Sequence, residues 1–436
     1  MPAGRQVCPA DRRAYAETCR IVSRSGLGEI LGMTQIKPAQ EPSPAPPGSL
    51  PEPAGPVEPG PSMGRLVGVD LARALAVFGM YVVHIGPPLS ATSGVAGWIR
   101  YLADGRSSIL FATFAGFSLA LLAGRREPKT GLAGRQAKAR IAIRAVILLA
   151  AGTGMAMVYG DVVILNFYGV YFLVALPLVR LRARTLAITA AVLALVGPQV
   201  AFGLRTWLGE PILNSINAYD PLERLCGVGV LDLLLTGFYP TITWMPFVIA
   251  GMALARLDLA AGAVRRRLAA LGPALIVLGY GTSRLLAGED ALRSAAEDGS
   301  GPSGNGSFDS GSFQPRGSAS SLLLAGPHSG TTFDIIGSLG VAITVILCAL
   351  VAIDRLSWLH RLAKPVIAVG TMSLTAYVGH FVVSSFTGLA FKDSWVPLLM
   401  YIGGAILFAG IWSRFFRRGP LEYLLHAATK LAKFVR

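Results

Sequence analysis

The sequence contains few charged side chains and few cysteines, and each shortage excludes a class of protein. Only 14% of the 436 residues are charged, whereas 53% are hydrophobic, and a water-soluble domain of this length needs far more polar surface. The four cysteines form neither a CxxC pair nor a metal-binding spacing, so no disulfide framework is indicated. A serine nucleophile elbow, a P-loop, an HExxH motif and a dinucleotide-binding glycine pattern are also missing.

Long apolar runs, in contrast, are abundant. A run of about 18 or more apolar residues crosses the ~30 Å of bilayer hydrocarbon as one helix. The sequence therefore predicts an all-α fold, a polytopic transmembrane helix bundle with about ten spans. The sixth span contains Pro240 and Pro246, which predict a kinked or broken helix. The predicted spans are 66–86, 107–123, 141–159, 162–179, 185–203, 229–255, 268–286, 332–353, 366–389 and 396–413.

The formal net charge is +15, but the Lys and Arg residues occur in short clusters between the predicted spans. Most of the 39 fall on one side of the predicted membrane, in segments such as RREPKTGLAGRQAKARIAIR and RFFRR. This alternation is typical of a topology signal. It predicts that both termini lie on the inner side and that nucleic acid is not a partner. The predicted localisation is the cell membrane, with multiple passes and with membrane lipids as partners.

Three segments outside the spans differ in composition. Residues 1–63 include ten prolines between positions 38 and 62, which predicts a disordered, Pro-rich cytoplasmic tail before a transmembrane domain at 64–418. The outer loop 287–330 is rich in Gly and Ser, as flexible segments are. Residues 419–436 place apolar side chains at helical spacing with Lys between them, which predicts an amphipathic helix on the inner membrane surface.

Ionisable side chains at membrane depth are costly and therefore mark candidate functional sites. In the first predicted span, Asp70 and Arg73 are three residues apart near the inner end. His84 follows Asp70 by two heptads on nearly the same face, ~21 Å further along the helix. With Tyr81 these side chains form one polar stripe. The structural alternative is an interfacial ion pair that anchors the helix, together with a histidine that caps it.

The ninth predicted span repeats this pattern. In GTMSLTAYVGHFVVSS, residues Ser373, Tyr377, His380 and Ser384 are spaced by four, three and four positions, so they share one helix face. His380 is expected at a depth close to that of His84. The alternative is a close-packing face, because small residues lie among them.

Further polar side chains collect toward the outer side of the predicted bundle. Two or three histidines near carboxylates suit proton transfer, because histidine titrates near neutral pH and a carboxylate fixes its tautomer. A zinc site formed by the histidines is an alternative, although no spacing signature supports it. The predicted catalytic histidines are His84, His328 and His380. The predicted substrate- or donor-binding residues are Asp70, Arg73, Asp104, Arg106, Asp161, Asn166, Tyr377 and Asp334.

Several stretches resemble known membrane protein families. GRLVGVDLARALAVFGMYVVH and DGRSSILFATFAGFSLAL resemble the first and second spans of the heparan-α-glucosaminide N-acetyltransferase-like proteins. YPTITWMPFVIAGMALARLDL, PHSGTTFD, GTMSLTAYVGH and RFFRRGPLEYLL resemble the bacterial relatives grouped as domain of unknown function 418. Together the stretches cover about residues 64–426.

The resemblance implies acyl transfer across a membrane. The lysosomal acetyltransferase uses cytosolic acetyl-CoA to acetylate a glucosamine on the far side, and a histidine in its second luminal stretch is implicated. This chain has no histidine in the corresponding loop, GPPLSATSGVAGWIRYLA, so that residue cannot be carried over. His84 is the nearest substitute, as a general base or acyl-relay group, and Arg73 at the inner mouth can contact phosphate or carboxylate.

The leading function is therefore transfer from cytoplasmic acetyl-CoA, or another acyl-CoA, to an extracytoplasmic glycan or lipid-linked sugar. Acyl-CoA is a co-substrate here, and no bound cofactor or metal is predicted. A transporter or flippase that uses the same polar stripe is the rival function, and a non-catalytic membrane scaffold is a third. The donor, the acceptor and the oligomeric state, which includes a homo-oligomer, stay open at this point.

Overall fold

The computed structural model describes residues 67–288, 315, 318–388 and 394–435, and within these ranges the fold is all-helical, without strands. The predicted Pro-rich tail at 1–63 lies outside the described residues, as does most of the predicted flexible loop at 287–330. The described end of that loop contains a 3₁₀ turn at Ala319–Leu323 and a segment around His328 that is buried.

Sixteen α-helices can be distinguished in the described ranges. One of them, α9, continues through a π-helical turn at Val277–Gly281 into α10. The helices are α1 (Val67–Ile85), α2 (Gly94–Ala103), α3 (Arg106–Leu122), α4 (Gly131–Tyr159), α5 (Leu165–Ala175), α6 (Ala183–Tyr219), α7 (Pro221–Cys226), α8 (Thr241–Arg256), α9 (Gly262–Ile276), α10 (Thr282–Ala287), α11 (Thr332–Arg355), α12 (Ser357–Leu362), α13 (Lys364–Thr371), α14 (Ser373–Thr387), α15 (Val396–Phe415) and α16 (Pro420–Ala428).

The structure confirms a bundle of membrane-spanning helices. Fewer helices are long enough to cross a membrane than the ten spans that the sequence predicts. Among the described residues, seven helical segments are long and apolar enough to cross a membrane, and eight if the bent pair α13–α14 counts as one span. Two shorter apolar helices, α5 and α8, occupy the positions of the fourth and sixth predicted spans. The count of ten and the sidedness of the termini remain predictions.

Most differences between the predicted spans and the observed helices are breaks within a predicted span. The predicted sixth span is interrupted, since a π-helical turn at Asp232–Thr236 ends before Pro240 and α8 starts at Thr241. The predicted ninth span is not continuous: α13 and α14 meet at an angle of 87°. Helix α6 extends well beyond the predicted fifth span and contains a break at Gly209, whose φ of 69° suits glycine.

Helix α1 occupies the centre of the bundle, where α3, α11, α13, α14 and α15 pack around it. Glycines permit the closest approaches. A Cβ atom at Gly370 of α13 would lie 1.7 Å from the carbonyl oxygen of Asp70, and one at Gly116 of α3 would lie 1.8 Å from the carbonyl oxygen of Val248 in α8. Such backbone-to-backbone contacts are the usual means by which apolar helices associate in a membrane.

The C-terminal segment is helical and packs against α4 and α14. Helix α16 continues into a 3₁₀ segment at Thr429–Phe434. Tyr423, Leu424 and Leu431 are exposed, whereas Thr429 and Ala432 are buried. This two-sided pattern agrees with the predicted amphipathic character, and its placement on the inner membrane surface stays a prediction.

Candidate active site

Two histidines meet in the interior of the helix bundle. His84 lies in the last turn of α1 and His380 in the middle of α14. The Nδ1 atom of His84 is 2.9 Å from Nε2 of His380, and the two rings stack with centroids 5.1 Å apart. Both side chains are buried. The two residues that the sequence places at similar depth therefore form one pair, here called the histidine pair.

A hydrogen bond between two imidazoles needs one ring to donate and the other to accept. Nδ1 of His380 is buried and makes no hydrogen bond to a described residue. We assign Nδ1–H of His84 as the donor and Nε2 of His380 as the acceptor, which puts the remaining proton of His380 on its Nδ1 atom. This tautomer leaves the lone pair on Nε2 of His84 as the basic atom of the pair.

Aromatic side chains enclose the histidine pair. The Tyr81 hydroxyl donates to the carbonyl oxygen of Ala376 at 2.7 Å, and its ring centroid lies 5.0 Å from that of His380. Phe381 packs on both imidazoles, with centroid distances of 5.4 Å to His84 and 4.2 Å to His380. A shell of this kind fixes the rings and strengthens polar interactions inside it, because the local dielectric is low.

The third predicted histidine, His328, lies in the segment before α11. Its ring packs against Phe238 and Trp244, with centroids 4.4 and 5.9 Å away. Its φ of 58° is unusual for a residue other than glycine and indicates a locally constrained backbone. Burial, and then the charges of His84 and Arg100, lower the pKa of His328 to about 3. His328 is therefore neutral at physiological pH and belongs to the surroundings of His84.

Asp104 participates in a buried ion pair. Its carboxylate lies 3.2 Å from Nη1 of Arg100, and both side chains are more than nine-tenths buried. Arg100 was not among the predicted site residues, although its position four residues before Asp104, in an otherwise apolar helix, is a signal for such a pair. The carboxylate predicted to bind substrate is thus engaged by a neighbour in the chain.

Arg106 and Asp334 belong to one polar network rather than to separate contacts. Nε of Arg106 donates to the Tyr280 hydroxyl at 3.2 Å, and that hydroxyl lies 2.7 Å from Oγ of Ser338. Ser338 in turn donates to Oδ1 of Asp334 at 2.9 Å. The guanidinium also lies over the rings of Tyr101 and Tyr280. This network ties α3, α9–α10 and α11 together.

Asp161 and Asn166 lie on either side of the start of α5. Asp161 is in a partly exposed 3₁₀ turn, whereas Asn166 is 1% exposed. Oδ1 of Asn166 accepts the N–H of Phe167 at 3.0 Å. The described contact gives Asn166 a local structural role, and a binding role for Asp161 and Asn166 stays a prediction.

The other end of α1 carries charge. Nη1 of Arg73 lies 3.2 Å from Oδ1 of Asp70, and Nη2 donates to Oγ of Ser118 at 2.9 Å. The guanidinium also lies 5.5 Å from the centroid of the Phe114 ring. A cavity of about 170 Å³, here called the arginine cavity, is lined by Arg73, Phe114 and Ser118 among others.

Arg144 lines the arginine cavity and, like Arg100, is a basic residue that the sequence prediction does not include. Its Nε atom is buried and makes no hydrogen bond to any described residue. Glu422 of α16 also lines the cavity, but its Oε1 accepts the N–H groups of Leu374 and Thr375 at 2.8 and 3.1 Å. The sequence signal for Arg144 is its position inside the apolar run IAIRAVILLA, where a topology charge is not expected.

Basic side chains also lie around His426, which follows the cavity-lining residue Leu425 on α16. The pKa of His426 on α16 is lowered by partial burial and by the positive charges of Arg418, Lys430, Arg144 and Arg140. Like charges that lie close together attract anions and raise their local concentration. Two guanidinium groups, those of Arg73 and Arg144, line the arginine cavity together with the Glu422 carboxylate.

An aromatic layer separates the arginine cavity from the histidine pair. Phe111 and Tyr168 line the cavity and stack on each other with centroids 5.7 Å apart. Phe111 also stacks on Tyr377 at 5.9 Å, and the Tyr377 ring lies 5.4 Å from that of His380. The Tyr377 hydroxyl accepts the N–H of Ile164 at 3.1 Å. In this chain of contacts two successive rings, Phe111 and then Tyr377, lie between the cavity and His380.

The described residues include no group of three or more His, Cys, Asp or Glu side chains arranged to hold a metal ion. The zinc alternative for His84, His328 and His380 accordingly gains no support. The paired histidines are arranged for proton transfer through a shared hydrogen bond.

Two family models match the chain. Residues 65–284, which are 220 of the 436, match the family described as Heparan-alpha-glucosaminide N-acetyltransferase, catalytic. Residues 318–432 match the family described as Protein of unknown function (DUF418). No curated protein is significantly similar to the chain. Because His84 lies in the first matched region and His380 in the second, the histidine pair joins the two regions.

Proposed function

We propose that this chain, which belongs to the heparan-alpha-glucosaminide N-acetyltransferase catalytic family, moves an acyl group from acyl-CoA to a sugar or lipid-linked acceptor. Family membership and the apolar helices support acyltransferase-type activity in a membrane. The donor, the acceptor and the residue roles are part of the proposal. The observation that carries it is the buried contact between His84 and His380.

His84 acts as the general base in this proposal. Its Nε2 lone pair removes the proton from the hydroxyl or amine of the acceptor, and the hydrogen bond from Nδ1–H to His380 stabilises the imidazolium that forms. The acceptor atom attacks the thioester carbon, the new C–O or C–N bond forms and the C–S bond breaks. Nε2 then returns the proton to the departing thiolate, so no redox partner is needed.

The arginine cavity is the proposed donor site. The phosphates of CoA are anions, and Arg144 has a buried Nε atom without a hydrogen-bond partner in the described chain. Arg73 lines the same cavity and presents a second guanidinium. Guanidinium groups match phosphate oxygens in geometry as well as charge.

A donor held there would have to reach the histidine pair through the aromatic layer. Phe111 and Tyr377 would need to move apart, or the acyl arm would need to pass along their edges, because they stack at 5.9 Å in this structure. The predicted topology places the arginine cavity on the cytoplasmic side, where acyl-CoA is made. The acceptor would then meet the acyl group from the opposite side.

The test is transfer by the purified protein in lipid nanodiscs. Radiolabelled acetyl-CoA is supplied with a glucosamine glycoside, either water-soluble or carrying a lipid tail, and the product is identified by mass spectrometry. Labelled product that depends on the protein supports the proposal. Free CoA released at the rate of product formation confirms the stoichiometry.

The transporter or flippase alternative predicts a different result. Proteoliposomes would accumulate or reorient the glycoside without a change in its mass, and acetyl-CoA would be unnecessary. That outcome, together with no covalent product from any acyl-CoA tried, would replace the acyltransferase proposal.

A further inference from the structure

A second cavity reaches the histidine pair from a different direction. It lies between α14 and α15, with Tyr81 of α1 and Met372 at its base, and has a volume of about 450 Å³. This volume is within the range of about 300–1,000 Å³ that is common for ligand sites. It shares no lining residue with the arginine cavity. His380 lines it directly, and we call it the α14–α15 groove.

Two glycines keep the groove open. An ideal Cβ atom at either Gly379 of α14 or Gly404 of α15 meets nothing within 4 Å. The groove side of α14 runs from Thr375 to Thr387, which is about 18 Å at 1.5 Å per residue. It is therefore a long and narrow depression, with His380 near its middle.

The lining suits hydrocarbon. It includes no Asp, Glu, Lys or Arg, and the apolar side chains Val383, Met400 and Phe408 are exposed at its edges. At one end the hydroxyls of Thr387 and Tyr401 satisfy each other at 2.9 Å. Within a bilayer a depression lined in this way faces lipid chains, and hydrocarbon can fill it without burying a formal charge.

We infer that the α14–α15 groove holds the hydrocarbon chain of a lipid-linked acceptor, whose head group reaches the histidine pair. This inference rests on the proposed function, and it narrows the acceptor to a molecule that enters sideways from the membrane. His380 connects the two sites, since the same imidazole lines the groove and contacts His84.

The charges favour the acceptor over the donor as the occupant. Acyl-CoA carries phosphates that need cations, and the cations lie around the arginine cavity rather than in the groove. Each substrate then has a separate route, and the two routes converge at neighbouring rings, since Tyr377 borders the aromatic layer and lies 5.4 Å from His380. The transfer needs such a convergence of donor and acceptor.

The test fills the groove with a side chain. Gly404→Leu places a leucine in the groove, and Gly403→Leu is the matched control, because Gly403 is adjacent in α15, also meets nothing within 4 Å and does not line the groove. The probe is a dodecyl glucosaminide with a diazirine in its chain, added to nanodiscs that contain the full chain. Irradiation and peptide mass spectrometry locate the label.

We expect label on groove residues of α14 and α15 in the unmodified protein and in Gly403→Leu, and a loss of about tenfold or more in Gly404→Leu, equivalent to about 1.4 kcal/mol. Gly379→Leu is the second variant if Gly404→Leu does not fold. Labelling requires no acyl transfer, so it can be read even if the proposed function fails. Equal labelling of the Gly403 and Gly404 variants would overturn the inference.

A kinetic measurement adds a second criterion. The ratio of kcat/KM for the dodecyl acceptor to that for a methyl glucosaminide should fall in Gly404→Leu and not in Gly403→Leu. A change of oligomeric state in Gly404→Leu, with unchanged labelling, would instead assign the groove to a second copy of the chain and overturn the lipid inference.

Discussion

The two ends of helix α1 are built from different chemistry. One end holds Asp70 and Arg73 beside a cavity that Arg144 also lines. The other end, about 21 Å away, holds His84, which contacts His380 inside a shell of tyrosine and phenylalanine. Both ends are costly to build in a membrane. In the proposed function the first end binds the anionic donor and the second end transfers the proton.

The largest expected effect is at the histidine end. We expect His84→Asn and His380→Asn each to reduce turnover by about 10²–10⁴, which is the usual contribution of a general acid–base group. The double variant should be little worse than the worse single one, because the two rings act as a unit. Transfer of labelled acetyl groups per folded molecule is the measurement.

His360→Asn, on the partly exposed helix α12, is the matched control for those variants and should retain activity. Full activity in both His84→Asn and His380→Asn would remove the histidine pair from the mechanism. Equal losses of folded protein and of activity would give the pair a structural role only.

A packing change should act on the arginine end. In Gly370→Ala the new Cβ would lie 1.7 Å from the carbonyl oxygen of Asp70, so α13 must move away from α1. We expect a loss of about 1–3 kcal/mol in stability, as for other overpacked sites, seen as a lower Tm of the purified protein. Gly203→Ala, where the added carbon meets nothing within 4 Å, should not lower it.

A smaller effect is expected from Arg144→Gln. It removes a cation from the proposed donor site and should raise KM for acyl-CoA by about tenfold, which is about 1.4 kcal/mol, with a much smaller change in kcat. Exposed Arg135 on the same helix supplies the control variant Arg135→Gln. Unchanged KM in Arg144→Gln, measured by steady-state kinetics, would contradict the assignment of the arginine cavity to the donor.

The smallest effect concerns pH. The pKa of His328 is about 3 in the folded protein against 6.5 for an unperturbed histidine, so the unfolded chain binds the proton first as the pH falls. Stability should therefore decrease on acidification below about pH 6.5. In His328→Gln the decrease of Tm between pH 7 and pH 5 should be shallower. If Tm depended on pH in the same way in both proteins, groups other than His328 would determine the loss of stability at low pH.

Three features could be predicted from the sequence: the helical fold, the family, and the two residues of the histidine pair. The resemblance to both families is confirmed by the two matches. His84 and His380 could be associated because each lies on a polar stripe of an apolar helix, and helical periodicity is a local property. Their contact itself depends on how α1 and α14 pack, which no local pattern specifies.

The parts that could not be predicted depend on distant residues. No proline at Met372 indicates the bend between α13 and α14. The N–H groups of Leu374 and Thr375, which the bend frees, donate to Glu422, a residue far along the chain. Arg144 was counted among the topology charges because its role depends on a cavity formed by several helices. A single sequence gives the period of each helix but not these partners.

Glu422 has a practical consequence for work on the protein. Its carboxylate binds the first turn of α14 through Leu374 N–H, Thr375 N–H and the Thr375 hydroxyl. Five residues after Thr375 on the same helix, His380 contacts His84. The C-terminal segment therefore helps to hold α14, the helix that carries His380, in position. An affinity tag fused close to Pro420–Ala428, or a truncation before it, is expected to disturb the position of His380, so a preparation made that way would not test the role of His380 in the unmodified protein.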